Sequence, residues 1–153
     1  MKYQLIEATT NDIDLLVNYQ SKNVLDWFSL DTTDKKQLLH DLLEKTKQYQ
    51  SQFRIIMANG EKVGCLLYYP YQDGIFIDEI YLLPNYRNCG IGSHILNTIL
   101  IQHPIAYLYV YQVNKKAIQL YQSLGFMTLE TTNTRLFMRY EKHQSNSIGS
   151  NNY

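Results

Sequence analysis

The stretch Ile77-Asp78-Glu79-Ile80-Tyr81-Leu82-Leu83-Pro84-Asn85-Tyr86-Arg87-Asn88-Cys89-Gly90-Ile91-Gly92-Ser93 decides how this chain is read. Ile75 to Leu82 has the pattern of a strand, and Pro84 breaks it. Arg87 to Ser93 is then a loop, bearing Gly90 and Gly92, that opens a helix through Ile95, Leu96, Ile99 and Leu100, stopped by Pro104. Glycines in such a loop let backbone N–H groups approach an anion, and the helix start adds partial positive charge, which together make a pyrophosphate cradle. Two common cradles are excluded by spacing. Ile95 stands where a dinucleotide fingerprint needs its third glycine, and the Gly-Lys-Ser/Thr of a Walker loop is absent. Taken alone, Gly90-Ile91-Gly92 also fits a glycine-eased turn beneath a helix.

Outward from this stretch, Asp73-Gly74 and Asn59-Gly60 are hairpin turn signals. They join Phe53–Ala58, Val63–Tyr69 and Ile75–Leu82 into three consecutive antiparallel strands. Toward the N-terminus, Tyr3 to Ala8 alternates like a strand, and Thr9 with Asp12 makes a capping-box start for a helix with Ile13, Leu16, Val17 and Tyr19 at helical spacing. Periodicity breaks over Asn23 to Leu30. Asp31-Thr32-Thr33-Asp34 then caps a second helix, with Leu38, Leu39, Leu42 and Leu43 on one stripe. Beyond Pro104, Ala106 to Tyr111 reads as a strand, Asn114 to Leu124 as a helix closed by Gly125, and Phe126–Glu130 with Arg135–Glu141 as a strand pair. The order β-α-α-β-β-β-α-β-α-β-β predicts an α/β fold of mixed α+β type: a central mixed sheet with helices on both faces, not a doubly wound one. Residues 1–142 are expected to form a single domain, and the polar tail 143–153 to fray.

Composition narrows the function classes. Fourteen Lys plus Arg balance fourteen Asp plus Glu over 153 residues, so no net charge draws the chain to nucleic acid or anionic lipid. Ten Gly plus Pro, about 7% against a usual 12%, with 45% hydrophobic residues, exclude a disordered or collagenous chain. Tyrosine is in excess, at fourteen. Cys65 and Cys89 make no disulfide framework and no metal-ligand spacing, the N-terminus lacks a signal-peptide core, and Val63–Tyr69 falls far short of the ~20 apolar residues that span a bilayer. A soluble cytoplasmic protein, with no metal and no membrane or nucleic-acid partner, is expected.

A second stretch agrees with the first: Asn114-Lys115-Lys116-Ala117-Ile118-Gln119-Leu120-Tyr121-Gln122-Ser123-Leu124-Gly125-Phe126. Together they resemble the Arg/Gln-x-x-Gly-x-Gly/Ala acetyl-CoA signature and the Asn-x-x-Ala-x-x-Leu-Tyr-x-x-x-Gly-Phe helix of the GNAT superfamily of N-acetyltransferases. The element order coincides with that superfamily's. The resemblance implies that acetyl-CoA, as cosubstrate, gives its acetyl group to a primary amine by direct transfer in a ternary complex. It implies that backbone groups of Ile80, Tyr81, Leu82 and Leu83, on a strand splayed from its neighbour, bond the pantetheine amides. Arg87, Asn88, Cys89, Gly90, Ile91, Gly92 and Ser93 would hold the pyrophosphate, and Asn114 and Tyr121 belong to the same cofactor site. Tyr121 is implied as the acid that protonates the departing thiolate. Glu79, ahead of Asp78, is implied as the acceptor of the amine proton.

Plainer readings stand beside these. Tyr121 shares a helical stripe with Ala117, Ile118 and Leu124, so packing alone accounts for it. Arg87 either pairs bidentately with phosphate or is a solvated charge, and Cys89 is small enough merely to fit. Asp78 and Glu79 point to opposite faces by strand alternation, and either can be a structural carboxylate. Tyr107, Tyr109 and Tyr111 alternate on one face. With Tyr68, Tyr69 and Tyr71 they line a cleft for a cationic acceptor, helped by Asp26, Asp31 or Asp34, or else they pack beneath helices. His40, His94 and His103 share no spacing. The rival function is a CoA-binding regulatory or scaffold module without turnover; Tyr121 together with an acid on the fourth strand favours the enzyme. The acceptor is left unidentified, and homodimers through the last strands are common in the superfamily.

Overall fold

The structure, a computed structural model, describes residues 2–142; the tail expected at 143–153 lies outside them. The elements are β1 (Gln4–Glu7), α1 (Ile13–Leu25), α2 (Thr32–Tyr49), β2 (Phe53–Ala58), β3 (Glu61–Tyr71), β4 (Gly74–Leu82), α3 (Ile91–Gln102), β5 (Ile105–Tyr111), α4 (Lys115–Leu124), β6 (Met127–Thr131) and β7 (Arg135–Glu141). This is the order read from periodicity. The strands lie in one seven-stranded mixed sheet, ordered β1-β2-β3-β4-β5-β7-β6. The described residues group into two compact units, 2–69 with 77–95, and 70–76 with 96–142.

In the first unit, the Asp12 carboxylate accepts from Thr9 N–H at 2.8 Å and Thr9 Oγ1 from Asn11 N–H at 3.3 Å, which is the expected capping box ahead of α1. Asp31 caps α2 through Asp34 N–H at 2.8 Å. Two expectations are corrected. α1 continues through Asn23 to Leu25, because a tertiary hydrogen bond to the Asn23 side chain outweighs its weak helix propensity. On α2, Leu39 is 47% exposed while Thr46 is fully buried. The inward stripe therefore runs Leu38, Leu42, Lys45–Thr46, Tyr49, and Gln20 of α1 donates to Thr46 Oγ1 at 2.8 Å across it. Beneath lie Leu16, Tyr19, Phe53, Ile55, Cys65, Leu67 and Tyr81. Asn59 and Gly60, at φ 53° and 75°, make the expected hairpin turn between β2 and β3. Gly64 admits β3 against β4, since a Cβ there would lie 2.0 Å from the Tyr81 carbonyl oxygen.

In the second unit the turn into β4 sits one residue earlier than Asp73-Gly74 suggests. Gln72 takes the positive φ of 48°, and Gly74 is the first residue of β4. Glycine is required there for another reason: a Cβ would lie 2.1 Å from the Ile105 carbonyl oxygen. Asn114 caps α4 and Gly125, at φ 110°, closes it as expected. β7 is inserted between β5 and β6, with Leu108 and Thr128 both opposite the buried Met138. β6 is thereby an edge strand with every residue exposed, and its pairing slips between Thr128 and Glu130.

Gly64→Ala is expected to lower unfolding stability in urea by about 3 kcal/mol, the scale of core overpacking, because the neighbour it meets is backbone and cannot rotate away.

Candidate active site

β4 ends where Leu83 N–H donates to the Val63 carbonyl at 2.8 Å, and a single turn over Pro84–Tyr86 leads into the glycine loop. Asn88 and Gly90 take positive φ values of 58° and 90°, the first at an Asn, which tolerates that region, the second at a Gly. These two reversals start α3 at Ile91, with the first helical bond from His94 N–H to Gly90 O at 3.0 Å. The N–H groups of Ile91, Gly92 and Ser93 precede that ladder, so helix geometry gives them no intrahelical acceptor. A Cβ on Gly90 would meet nothing within 4 Å, and one on Gly92 only Leu82 Cδ1 at 3.9 Å. The fold itself thus makes no demand for glycine at 92, and open space faces the helix start.

Arg87 is exposed and also has partners within the chain. Its Nε donates to Leu82 O at 2.7 Å, its guanidinium carbon lies 5.1 Å from the Tyr81 ring centroid, and its Nη2 is 3.8 Å from Asp26 Oδ2. It braces the loop against the end of β4 and of α1, and takes one of the two lone pairs of a carbonyl that the resemblance reserves for pantetheine. Cys89 donates Sγ–H to Tyr86 O at 3.0 Å, as suits a small residue that fits its turn.

Asp78 and Glu79 form the chemical centre of the first unit. Along β4 the alternation of buried and half-buried positions breaks at Asp78–Ile80, and one ammonium reaches both carboxylates. Lys45 Nζ of α2 lies 2.6 Å from Asp78 Oδ1 and 3.9 Å from Glu79 Oε2, which corrects the expectation of opposite faces. Tyr69 donates to Asp78 Oδ2 at 2.7 Å, and Asn23 of α1 donates to Glu79 Oε1 at 2.5 Å. The Tyr69 ring is stacked 4.8 Å from that of Tyr49. Burial pushes the Glu79 carboxyl up to about 7, against the opposing pull of Lys45 and the Asn23 hydrogen bond, with the Asp78 charge adding to the rise. Lys45, Asn23 and Tyr49 carried no sequence signal for a site. Only the α2 stripe, read past Leu42, points at Lys45.

In the second unit, Tyr121 is 8% exposed and meets Phe126 edge-on, ring centroids 5.6 Å apart. Asn114 Oδ1 accepts from Ala117 N–H at 3.2 Å, so its acceptor oxygen serves as the helix cap. Two tyrosines of β5 have partners within the unit, although Tyr109 is 39% exposed. Tyr107 donates to Asp73 Oδ1 at 2.7 Å and accepts from Arg139 Nε at 3.0 Å, and the Arg135 guanidinium sits 4.1 Å from the Tyr109 centroid. A groove of about 390 Å³ lined by Met127, Leu129, Arg139 and Lys142, among others, contains none of the expected site residues. Among the described residues no three His, Cys, Asp or Glu side chains gather to hold a metal, and no helix is long and apolar enough to cross a membrane.

The family model described as the acetyltransferase (GNAT) family matches residues 21–126. The thialysine N-epsilon-acetyltransferase of Mus musculus is 33% identical over 105 residues, covering 57% of this chain. The chain spans 60% of the length of that curated relative. Among solved structures, the PaiA N-acetyltransferase of Thermoplasma acidophilum in complex with coenzyme A has a TM-score of 0.72 at 18% identity, covering 92% of this chain and 99% of that one. An N-acetyltransferase of Staphylococcus aureus Mu50 has a TM-score of 0.69 at 14% identity, covering 90% and 98%. At these identities the likeness is one of fold.

A carboxyl raised from 4.5 to about 7 binds its proton more tightly folded than unfolded, so its contribution to stability is present at low pH and is lost as pH rises through that window. Denaturation of the wild type should therefore show stability falling between pH 4.5 and 7. Glu79→Gln should lack that slope and be the more stable protein at pH 8.

Proposed function

The chain belongs to the acetyltransferase (GNAT) family of acetyl-CoA-dependent N-acetyltransferases, and from that premise we propose that it acetylates the primary amine of a small acceptor of the amino-acid class, directly and within a ternary complex. The name of the mouse relative, which refers to the ε-amine of thialysine, supports that class of acceptor. The observation that carries the mechanism is Glu79: a buried carboxylate with affinity for a proton matched to neutral pH. Asp78 accepts from both Lys45 and Tyr69, one at each oxygen, and is the less available base.

In this reading the acceptor ammonium gives a proton to Glu79, and the freed lone pair attacks the thioester carbonyl. The C–N bond forms, the C–S bond breaks, and the thiolate takes the Tyr121 hydroxyl proton. The second proton of the amine nitrogen, shed through solvent as the amide forms, balances the reprotonation of the tyrosinate, and Glu79 returns its own proton to water. The loop Arg87–Ser93 holds the pyrophosphate of acetyl-CoA at the start of α3. What supports this is the open space facing Gly90 and Gly92, the two left-handed residues ahead of the helix, and the absence of any packing need for Gly92.

Thiol release from acetyl-CoA, measured across a panel of amino acids, polyamines and aminoglycosides, tests the activity and the acceptor class together; release with none of them would leave the scaffold reading in its place. Tyr121→Phe keeps the ring against Phe126 and removes only the hydroxyl, so turnover should fall by roughly 10²–10⁴ with the melting temperature little changed. Gly92→Val should fold normally yet bind CoA at least about tenfold more weakly, about 1.4 kcal/mol, by calorimetry.

A further inference from the structure

We propose that Lys45 is a positioning residue for this reaction: anchored on Asp78, its ammonium holds the neighbouring carboxylate of Glu79 in the ionised form that accepts the acceptor's proton. The inference rests on the reading of Glu79 as the base.

Among the described residues, four elements bring a polar or titratable group to bear on Glu79. α1 contributes Asn23, a neutral donor at 2.5 Å. β3 contributes Cys65, whose thiol is pushed well above its usual range by burial first and then by the Glu79 charge, and so is neutral. β4 contributes Asp78, an anion that opposes ionisation of its neighbour. Only α2 contributes a cation, Lys45, and it is the leading influence acting against desolvation. Glu79 is 10% exposed in its side chain and Lys45 26%, so water screens their attraction across 3.9 Å only in part.

The Lys45 ammonium is not free to wander. Asp78 Oδ1 holds it at 2.6 Å, and Asp78 is itself held from the other side by the Tyr69 hydroxyl at 2.7 Å. Tyr69 is stacked on Tyr49, one helical turn after Lys45 on the same face of α2. Helix and strand thus close a frame in which Asp78 fixes the cation and the cation faces Glu79. Removing the ammonium leaves Glu79 among neutral donors and one anion, where burial and Asp78 both favour the protonated acid, and a protonated acid cannot take up a second proton.

The test is the pH dependence of kcat/KM with the amine that the panel identifies. In the wild type the acidic limb should lie near the Glu79 value of about 7. Lys45→Gln should move that limb upward by about one pH unit or more, and Lys45→Arg should leave it close to the wild-type position. A packing role would change stability and leave the limb in place. An unmoved limb in a folded Lys45→Gln protein overturns the proposal. Should that variant fail to fold, Lys45→Met, which keeps the packing of the stem and removes only the ammonium, decides in its stead, and an unmoved limb there overturns the proposal equally. Glu79→Gln separates the two layers: a limb that persists there overturns the base assignment and this inference with it, whereas a limb abolished there but unmoved in Lys45→Gln overturns the inference alone.

Discussion

Two adjacent carboxylates on a buried strand keep their charge only if groups from other elements come to meet them. β4 carries such a pair at Asp78 and Glu79, and α1, α2 and β3 each deliver a partner in Asn23, Lys45 and Tyr69. The rest of the first unit is arranged around that requirement. The α2 stripe changes from Leu38 and Leu42 to Lys45 and Tyr49 at this level, and α1 continues its helix far enough to bring Asn23 into place. Lys45 and Asp78, 2.6 Å apart with side chains 26% and 16% exposed, are better shielded from water than Lys47 and Glu44, 4.0 Å apart with both side chains more than half exposed, a contact worth about 0–1 kcal/mol.

The glycine loop meets a different requirement, which under the proposed function is to hold backbone N–H groups ready for the pyrophosphate of acetyl-CoA before it arrives. Asn88 and Gly90 supply the two left-handed turns, and three side-chain contacts keep them there: Arg87 to Leu82 O, Arg87 over the Tyr81 ring, and Cys89 to Tyr86 O. A loop ordered in advance gives up its conformational freedom during folding rather than during binding, which raises affinity without new ligand contacts. Arg87 serves that order through its side chain, which ties the loop to the end of β4.

Much of the tyrosine excess turns out to be internal architecture. In the second unit Tyr107 and Tyr109 lie on one face of β5, with Arg139 and Arg135 from β7 set over their rings and Asp73 bonded to the Tyr107 hydroxyl. In the first unit Tyr19 donates to the Lys62 carbonyl at 2.9 Å, and burial pushes its hydroxyl up to about 12. Phenols placed in this way fill space with the ring while satisfying a buried carbonyl or carboxylate, which leaf-like apolar side chains cannot do.

The sequence by itself determined the element order, the hairpin at Asn59-Gly60, the caps at Thr9, Asp31 and Gly125, and the glycine loop, because each depends on local backbone geometry: a positive φ, a side-chain oxygen at a helix start, a repeat of 2 or 3.6 residues. Only the tertiary structure decided that β7 pairs between β5 and β6, that Gly64 and Gly74 are required by a facing carbonyl, and that Lys45 meets both carboxylates. These are contacts between residues up to dozens of positions apart. A lysine on a helix looks the same in sequence whether its ammonium ends in water or against Asp78; the long flexible stem allows both, and burial of the carboxylates selects the second.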